Sequence, residues 1–163
     1  MSPEPARPDQ TMRLRRLATA ALTPHETRAI RVLLWAAFPP GDEGFTEDDW
    51  EHALGGVHVV LDIEGAIVAH ASVAERGLHI GERPTRTGYV EAVAVDPARQ
   101  TSGFGTVVMH EIDDEIDRHF WLGAPGTRAD HFSERLGART RWAAYSRPPG
   151  AGRRGGRCRT PPP

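Results

Sequence analysis

Ile30, Leu33, Leu34 and Ala37 fall at the three- and four-residue spacing of a single helix face. The segment Thr23-Pro24-His25-Glu26 stands ahead of them, a capping box with proline at the first helical position, and Pro39-Pro40 ends the run. Thr46 is placed to cap a second, short and acidic helix over residues 47 to 53, which Gly55-Gly56 stops. A third helix is marked by Val108, Ile112 and Ile116, one apolar residue in every four with Asp and Glu between them.

Elsewhere the period shortens. TMRLRRLATA, from Thr11, reads as a strand. VHVVLDI, then Glu64-Gly65, then AIVAHASVAERGLHI predict an antiparallel hairpin around a tight turn. GYVEAVAVD predicts the next strand, bounded ahead by Gly81 and Pro84 and behind by Pro97. FWLGA is a short strand, and residues 127 to 136 form a last helix ended by Gly137. The predicted order is β, α, α, β-hairpin, β, α, β, α: an α/β domain over residues 11 to 138. Before it, MSPEPARPDQ reads as a disordered lead-in over residues 1 to 10. After it, residues 139 to 163 hold five Pro and four Gly without helix or strand period, and read as mostly disordered.

A chain of 163 residues has room for one core of this kind. No apolar run approaches the roughly 18 residues of a membrane span, and the N-terminus lacks the apolar stretch of a signal peptide, so a soluble cytoplasmic protein with no membrane partner is expected. The one cysteine, Cys158, fits a reducing compartment. All 20 basic residues are arginine. The absence of lysine excludes a phosphate-loop ATPase, a Schiff-base enzyme and a Ser-Lys hydrolase.

The net charge of -2 conceals a division. Residues 1 to 138 carry 13 Arg against 22 Asp and Glu, a balance of -9, whereas residues 139 to 163 carry 7 Arg and no acid. An acidic body argues against nucleic acid and is compatible with either a plain solvated acidic surface or a cationic ligand. The Arg and Pro bias of the basic tail reads like out-of-frame translation of a GC-rich coding sequence, a short natural tail being the alternative.

The segment GYVEAVAVDPARQTSGFGT, followed by a helix, carries most of the candidate chemistry. A glycine-containing loop presents successive backbone N–H groups and the helix adds the positive end of its dipole, which together suit a pyrophosphate without lysine. The dinucleotide fingerprint G-x-G-x-x-G fails here, because Val108 stands where its third glycine belongs. Gln100, Gly103 and Gly105 instead form Q-x-x-G-x-G, which resembles the acetyl-CoA loop of the GCN5-related N-acetyltransferase superfamily. On that resemblance Gln100, Thr101, Ser102, Gly103, Phe104 and Gly105 bind acetyl-CoA.

FTEDDWEHALGG, EGAIVAHASV and GYVEAVAV are similar, in order and spacing, to one branch of that superfamily, the aminoglycoside 2'-N-acetyltransferases, with the likeness running from about Arg13 to Gly137. The resemblance implies a mixed, mainly antiparallel sheet, split at its fourth strand, with helices on both faces, and N-acetylation of the 2'-amine of an aminoglycoside. It makes Glu91 the base that takes the amine proton, and gives Val93, Ala94 and Val95 to the pantetheine arm. It gives Asp49, Glu91 and Ala92, with Asp42 and Glu43 in a longer loop, to the cationic substrate. A homodimer is compatible with it. Simple strand alternation would put Glu91, Val93 and Val95 on one face.

The chain departs from the family at its C-terminal end. Ser133 stands where the family has a Tyr suited to protonate the leaving thiolate, Ala138 stands where it has a Trp, and the strands that complete the sheet are expected to be missing. Alternative readings are therefore an acetyltransferase for another polyamine or peptide amine, and a non-catalytic or truncated acyl-CoA-binding relative. His110-Glu111 followed by Asp114 is not a zinc motif, so no metal is expected, and Ser72, Ser102 and Ser146 lack a nucleophile elbow.

Overall fold

The computed structural model describes residues 11–125 and 145–146. Three helices, α1 (Pro24–Ala37), α2 (Glu47–Ala53) and α3 (Phe104–His119), pack on a sheet of β1 (Met12–Ala18), β2 (Val57–Ile63), β3 (Ala66–Ile80), β4 (Arg83–Val95), β5 (Leu122–Pro125) and β6 (Tyr145–Ser146). The strands lie side by side in sequence order. Every pair is antiparallel except β4 with β5, which run parallel.

The expected capping box at α1 forms, and the expected Thr46 cap of α2 proves to be a box as well. Thr23 accepts from the Glu26 N–H while Glu26 reaches back to the Thr23 N–H, and Thr46 and Asp49 do the same for α2. The helical periods sort residues as expected: Val108, Ile112 and Ile116 of α3 meet Val59, Leu61, Val73, Val90, Val93 and Val95 on one face of the sheet. Ile30, Leu33 and Leu34 of α1, with Trp50 of α2, meet Val60 and Ala94 on the other. Each such side chain, taken out of water, contributes about 1.5–3 kcal/mol before chain entropy is counted.

Neighbouring arginines on the edge strand β1 tie it to both layers, because successive strand residues point to opposite faces. Arg15 bonds Glu26 of α1 at 2.5 Å and buried Asp62 of β2 at 3.1 Å. Arg16 bonds Glu111 at 2.5 Å and Glu115 at 3.5 Å, both on α3.

The sequence pattern misplaces two features. The strand expected to start after Pro84 begins at Arg83, and β3 and β4 continue as a long hairpin with Ile80 opposite Arg83. Proline is tolerated there because it stands at the start of a strand, before β5 pairs with that strand at Thr87. In the tail, where no strand was expected, Tyr145 and Ser146 pair with Gly123 and Leu122. A two-residue strand leaves no periodic signature. The expected helix over 127–136, Ser133 and Ala138 lie outside the described residues.

Candidate active site

Between Ser72 and His70 of β3 lies one residue, whereas between their register partners Glu91 and Ala94 of β4 lie two. The extra residue is a β-bulge, and Ala92 carries it in the left-handed region at φ 50°. That conformation disfavours any side chain by about 1–2 kcal/mol, and such strain gathers at functional positions. The bulge changes which face each residue takes. Val90 before it and Val93 and Val95 after it all join the core under α3, while Ala92 and Ala94 pack with α1 and α2.

Glu91 therefore does not share a face with Val93 and Val95, as strict alternation would have it. It lies on the α2 side, within electrostatic reach of Asp49 and His52 of α2 and Arg76 of β3. Half-buried, its carboxyl is raised above the ordinary range, chiefly by desolvation and further by Asp49, against the opposing pull of Arg76 and His52. His52 and Arg76 carry no motif or spacing that marks them in the sequence; only the fold brings them to Glu91.

The sheet opens beside this carboxyl. Within the described residues β5 pairs with Thr87, Gly88, Tyr89 and Val90 of β4. Among the described residues, nothing pairs with residues 91–95 on that side, so the backbone of Ala92, Val93, Ala94 and Val95 presents a strand edge there. At the end of β4, Asp96 caps a single turn at Pro97–Arg99, and the loop over Gln100, Thr101, Ser102 and Gly103 leads into α3. Thr101 and Gly103 are both left-handed, at φ 73° and 83°. Alternation of such residues with ordinary ones turns consecutive N–H groups toward one point. The first-turn N–H groups of α3, from Phe104, Gly105 and Thr106, have no partner within the helix and open onto the same end. Gly105 is buried and Phe104 packs against the α3 core, so both are also anchors.

The acidic candidates divide. One carboxylate oxygen of Asp49 accepts from the Thr46 N–H at 2.8 Å and the Thr46 hydroxyl at 2.7 Å, so Asp49 holds the start of α2 as well as facing Glu91. Asp42 and Glu43 are exposed in the loop before α2. Trp50 is core, 5% exposed.

Residues 27–138 match the family model described as the acetyltransferase (GNAT) family. Over 80 residues the chain is 42% identical to an aminoglycoside 2'-N-acetyltransferase of Mycolicibacterium fortuitum, a stretch covering 49% of this chain and 41% of that protein, so the chain spans well under half the length of this relative. Among solved structures, a GNAT family acetyltransferase from Brucella melitensis in complex with acetyl-CoA superposes with a TM-score of 0.56 at 21% identity, covering 75% of this chain and 81% of that one. An aminoglycoside acetyltransferase from an uncultured soil metagenomic sample, in complex with trehalose, gives 0.56 at 17% identity over 92% and 95% of the two chains. These last two likenesses are of fold. With its mixed sheet, its bulged fourth strand and a family match over more than half its length, this chain belongs to the GNAT acetyltransferase family.

Proposed function

We propose that the protein transfers the acetyl group of acetyl-CoA to an amine of a polycationic substrate, the 2'-amine of an aminoglycoside, and that residues 11 to 138 form the transferase domain. The observation that carries this reading is the half-buried Glu91 carboxyl at the β4 bulge, beside a strand edge that no described residue pairs with and that runs into the Gln100–Gly105 loop. The residues present fit acetyl-CoA. The backbone edge of residues 92–95 suits a pantetheine arm bound as an added strand, with the Val93 N–H available to the thioester oxygen. The left-handed Thr101 and Gly103 and the N-terminus of α3 suit its pyrophosphate, and a Cβ on Gly103 would meet nothing within 4 Å, so the loop is open on that side.

Acetyl-CoA supplies an activated acetyl thioester. For an amine to attack it, an ammonium proton must leave first, and Glu91 accepts that proton directly or through water. A carboxyl raised by desolvation is a better match to this task than an ordinary surface glutamate. As the amine nitrogen bonds to the acetyl carbon, the carbon–sulfur bond breaks and the thiolate leaves, to be protonated. Asp49, with Asp42 and Glu43 at the loop before α2, supplies negative charge for the other ammonium groups of the substrate. The 2'-specific reading rests on the 42% identity to the Mycolicibacterium fortuitum enzyme.

The test uses the full chain, acetyl-CoA and two aminoglycosides, one with an amine at the 2' position and one with a hydroxyl there. Thiol release and a product acetylated at that nitrogen, with the hydroxyl compound inert, are expected. Acetylation at another position would replace the 2' assignment. Binding of acetyl-CoA by calorimetry with no transfer to either compound, or to a polyamine, would make the chain a binding module.

A further inference from the structure

Thr19, His58 and His70 form a file of hydrogen bonds that ends on the bulge. His70 Nδ1 lies 2.7 Å from the carbonyl oxygen of Ala92. His70 Nε2 lies 2.9 Å from His58 Nδ1, and His58 Nε2 lies 2.9 Å from Thr19 Oγ1. Thr19 Oγ1 in turn accepts from the N–H groups of Gly55 and Gly56 at 2.9 and 3.2 Å. Both rings are wholly buried, and burial pushes His58 down to about 4 and His70 to about 3, so at neutral pH each carries one N–H.

One carbonyl then fixes every proton in the file. A carbonyl only accepts, so His70 Nδ1 donates to Ala92. His70 Nε2 is left to accept, hence His58 Nδ1 donates; His58 Nε2 accepts, hence the Thr19 hydroxyl donates to it rather than to the Gly56 carbonyl at 3.3 Å. All hydrogen bonds in the file point toward Ala92, the residue beside Glu91. An apolar pair would fill the same space between β2 and β3 but could not hold that carbonyl.

We propose that Thr19, His58 and His70 are positioning residues for Glu91: by holding the Ala92 carbonyl they keep the left-handed bulge that turns the neighbouring carboxylate from the α3 core toward α2. Glu91 as the reacting base belongs to the function proposed above; the protonation pattern and the bulge do not depend on it. Both histidines are wholly buried and act through the backbone.

Two measurements test this in the full chain. Nitrogen NMR of histidine-labelled protein at neutral pH should show His58 and His70 both protonated at Nδ1 and bare at Nε2, the less common tautomer of a free imidazole. A proton on Nε2 of either ring, or a charged ring, would overturn the file whether or not the protein transfers acetyl groups. The second compares His70→Leu, which removes the donor, with His70→Asn, whose amide keeps a donor near the Nδ1 position. In His70→Leu the Glu91 carboxyl, followed by carbon NMR, should shift back toward the ordinary carboxylate range, and kcat should fall about tenfold or more with KM for acetyl-CoA little changed. His70→Asn should recover most of both. Unmoved Glu91 titration in folded His70→Leu, or equal losses in the two variants, would remove the positioning role. If His70→Leu does not fold, the comparison is made between His58→Leu and His58→Asn, with the same outcomes. Wild-type protein that has the Nδ1 tautomers but no acetyl transfer would sink the proposed function and leave the file standing.

Discussion

Asp49 at the start of α2 and Glu91 at the bulge of β4 act on each other as like charges, and Asp49 adds to the desolvation that raises the Glu91 carboxyl. Asp49→Asn removes that charge while keeping an acceptor for the Thr46 N–H. Glu91 should then titrate lower than in the wild type, because one of the two causes that raise it is gone while the opposing Arg76 and His52 remain. Since the base must be ionised to accept a proton, the acid limb of kcat should move to lower pH with it. Carbon NMR of the glutamate carboxyls gives the first quantity and a rate profile at saturating substrate the second; a limb that stays put while the carboxyl moves would show that another group sets it.

Removing the base separates chemistry from cofactor binding. Glu91→Gln keeps the shape of the side chain and should lower kcat by about 10² to 10⁴, the usual worth of general base catalysis, with acetyl-CoA affinity nearly unchanged. Calorimetry and steady-state rates on the same preparation decide it. Full activity in the variant would mean that the base is elsewhere.

The cofactor loop has its own test in Gly103, the left-handed residue at the N-terminus of α3. Valine there has free space for its side chain but the wrong backbone preference, so the loop must change the direction of its N–H groups. Gly103→Val should weaken acetyl-CoA at least tenfold, about 1.4 kcal/mol. Titration calorimetry that finds the affinity intact would take the loop out of the site.

Acid should unfold the protein earlier than carboxylates alone would. His58 and His70 have folded pKa values of about 4 and about 3, below the 6.5 of the unfolded chain, so between those limits the unfolded state binds more protons. The stability they contribute is complete above pH 6.5 and is lost as pH falls through that window, at about 1.4 kcal/mol per pH unit for each full proton of difference. Glu26, lowered to about 2 from 4.5 by the Thr23 N–H first and Arg15 next, acts in the same direction from pH 4.5 downward. Melting temperatures across pH 4 to 7 should fall on the acid side already below pH 6.5. A flat profile down to pH 5 would show that the two rings are not neutral in the fold.

Much of this fold is legible in the sequence because it is written in periods. The faces of α1 and α3, the Thr23 capping box, the Thr46 cap and the β2–β3 turn follow from residues near one another along the chain. The bulge is not written that way. Glu91-Ala92-Val93-Ala94-Val95 alternates without a Gly or Pro, and the pattern alone aligns Glu91 with Val93 and Val95. Only pairing with β3, where Ser72 opposes Glu91 and His70 opposes Ala94, reveals the extra residue. The histidine file is equally silent, since Thr19, His58, His70 and Ala92 come from four separate segments and match no ligand spacing. The proposed roles of Glu91, Asp49 and the Gln100–Gly105 loop come from family resemblance, which does not point to His52 or Arg76.

Gly56 stands at the far end of that file and is the sharpest steric test of the fold. A Cβ there would meet the Val73 carbonyl oxygen at 1.9 Å, and the obstacle is β3 backbone rather than a side chain that can swing away. The same residue donates to Thr19 Oγ1 and accepts from the Thr19 N–H at 3.0 Å, so displacing it loosens the start of the file as well. Gly56→Ala should therefore destabilise by about 1–3 kcal/mol or more, as overpacking against a fixed neighbour does. Gly77, on the exposed part of β3, is the control: its added Cβ meets nothing within 4 Å and its φ is not in the left-handed region. Alanine is favoured there through the entropy it removes from the unfolded chain, so Gly77→Ala should raise stability by about 0.4–1 kcal/mol. Denaturant unfolding of the two variants against the wild type measures both changes, and a tolerated Gly56→Ala would mean that β2 and β3 do not approach at Val73 as closely as described.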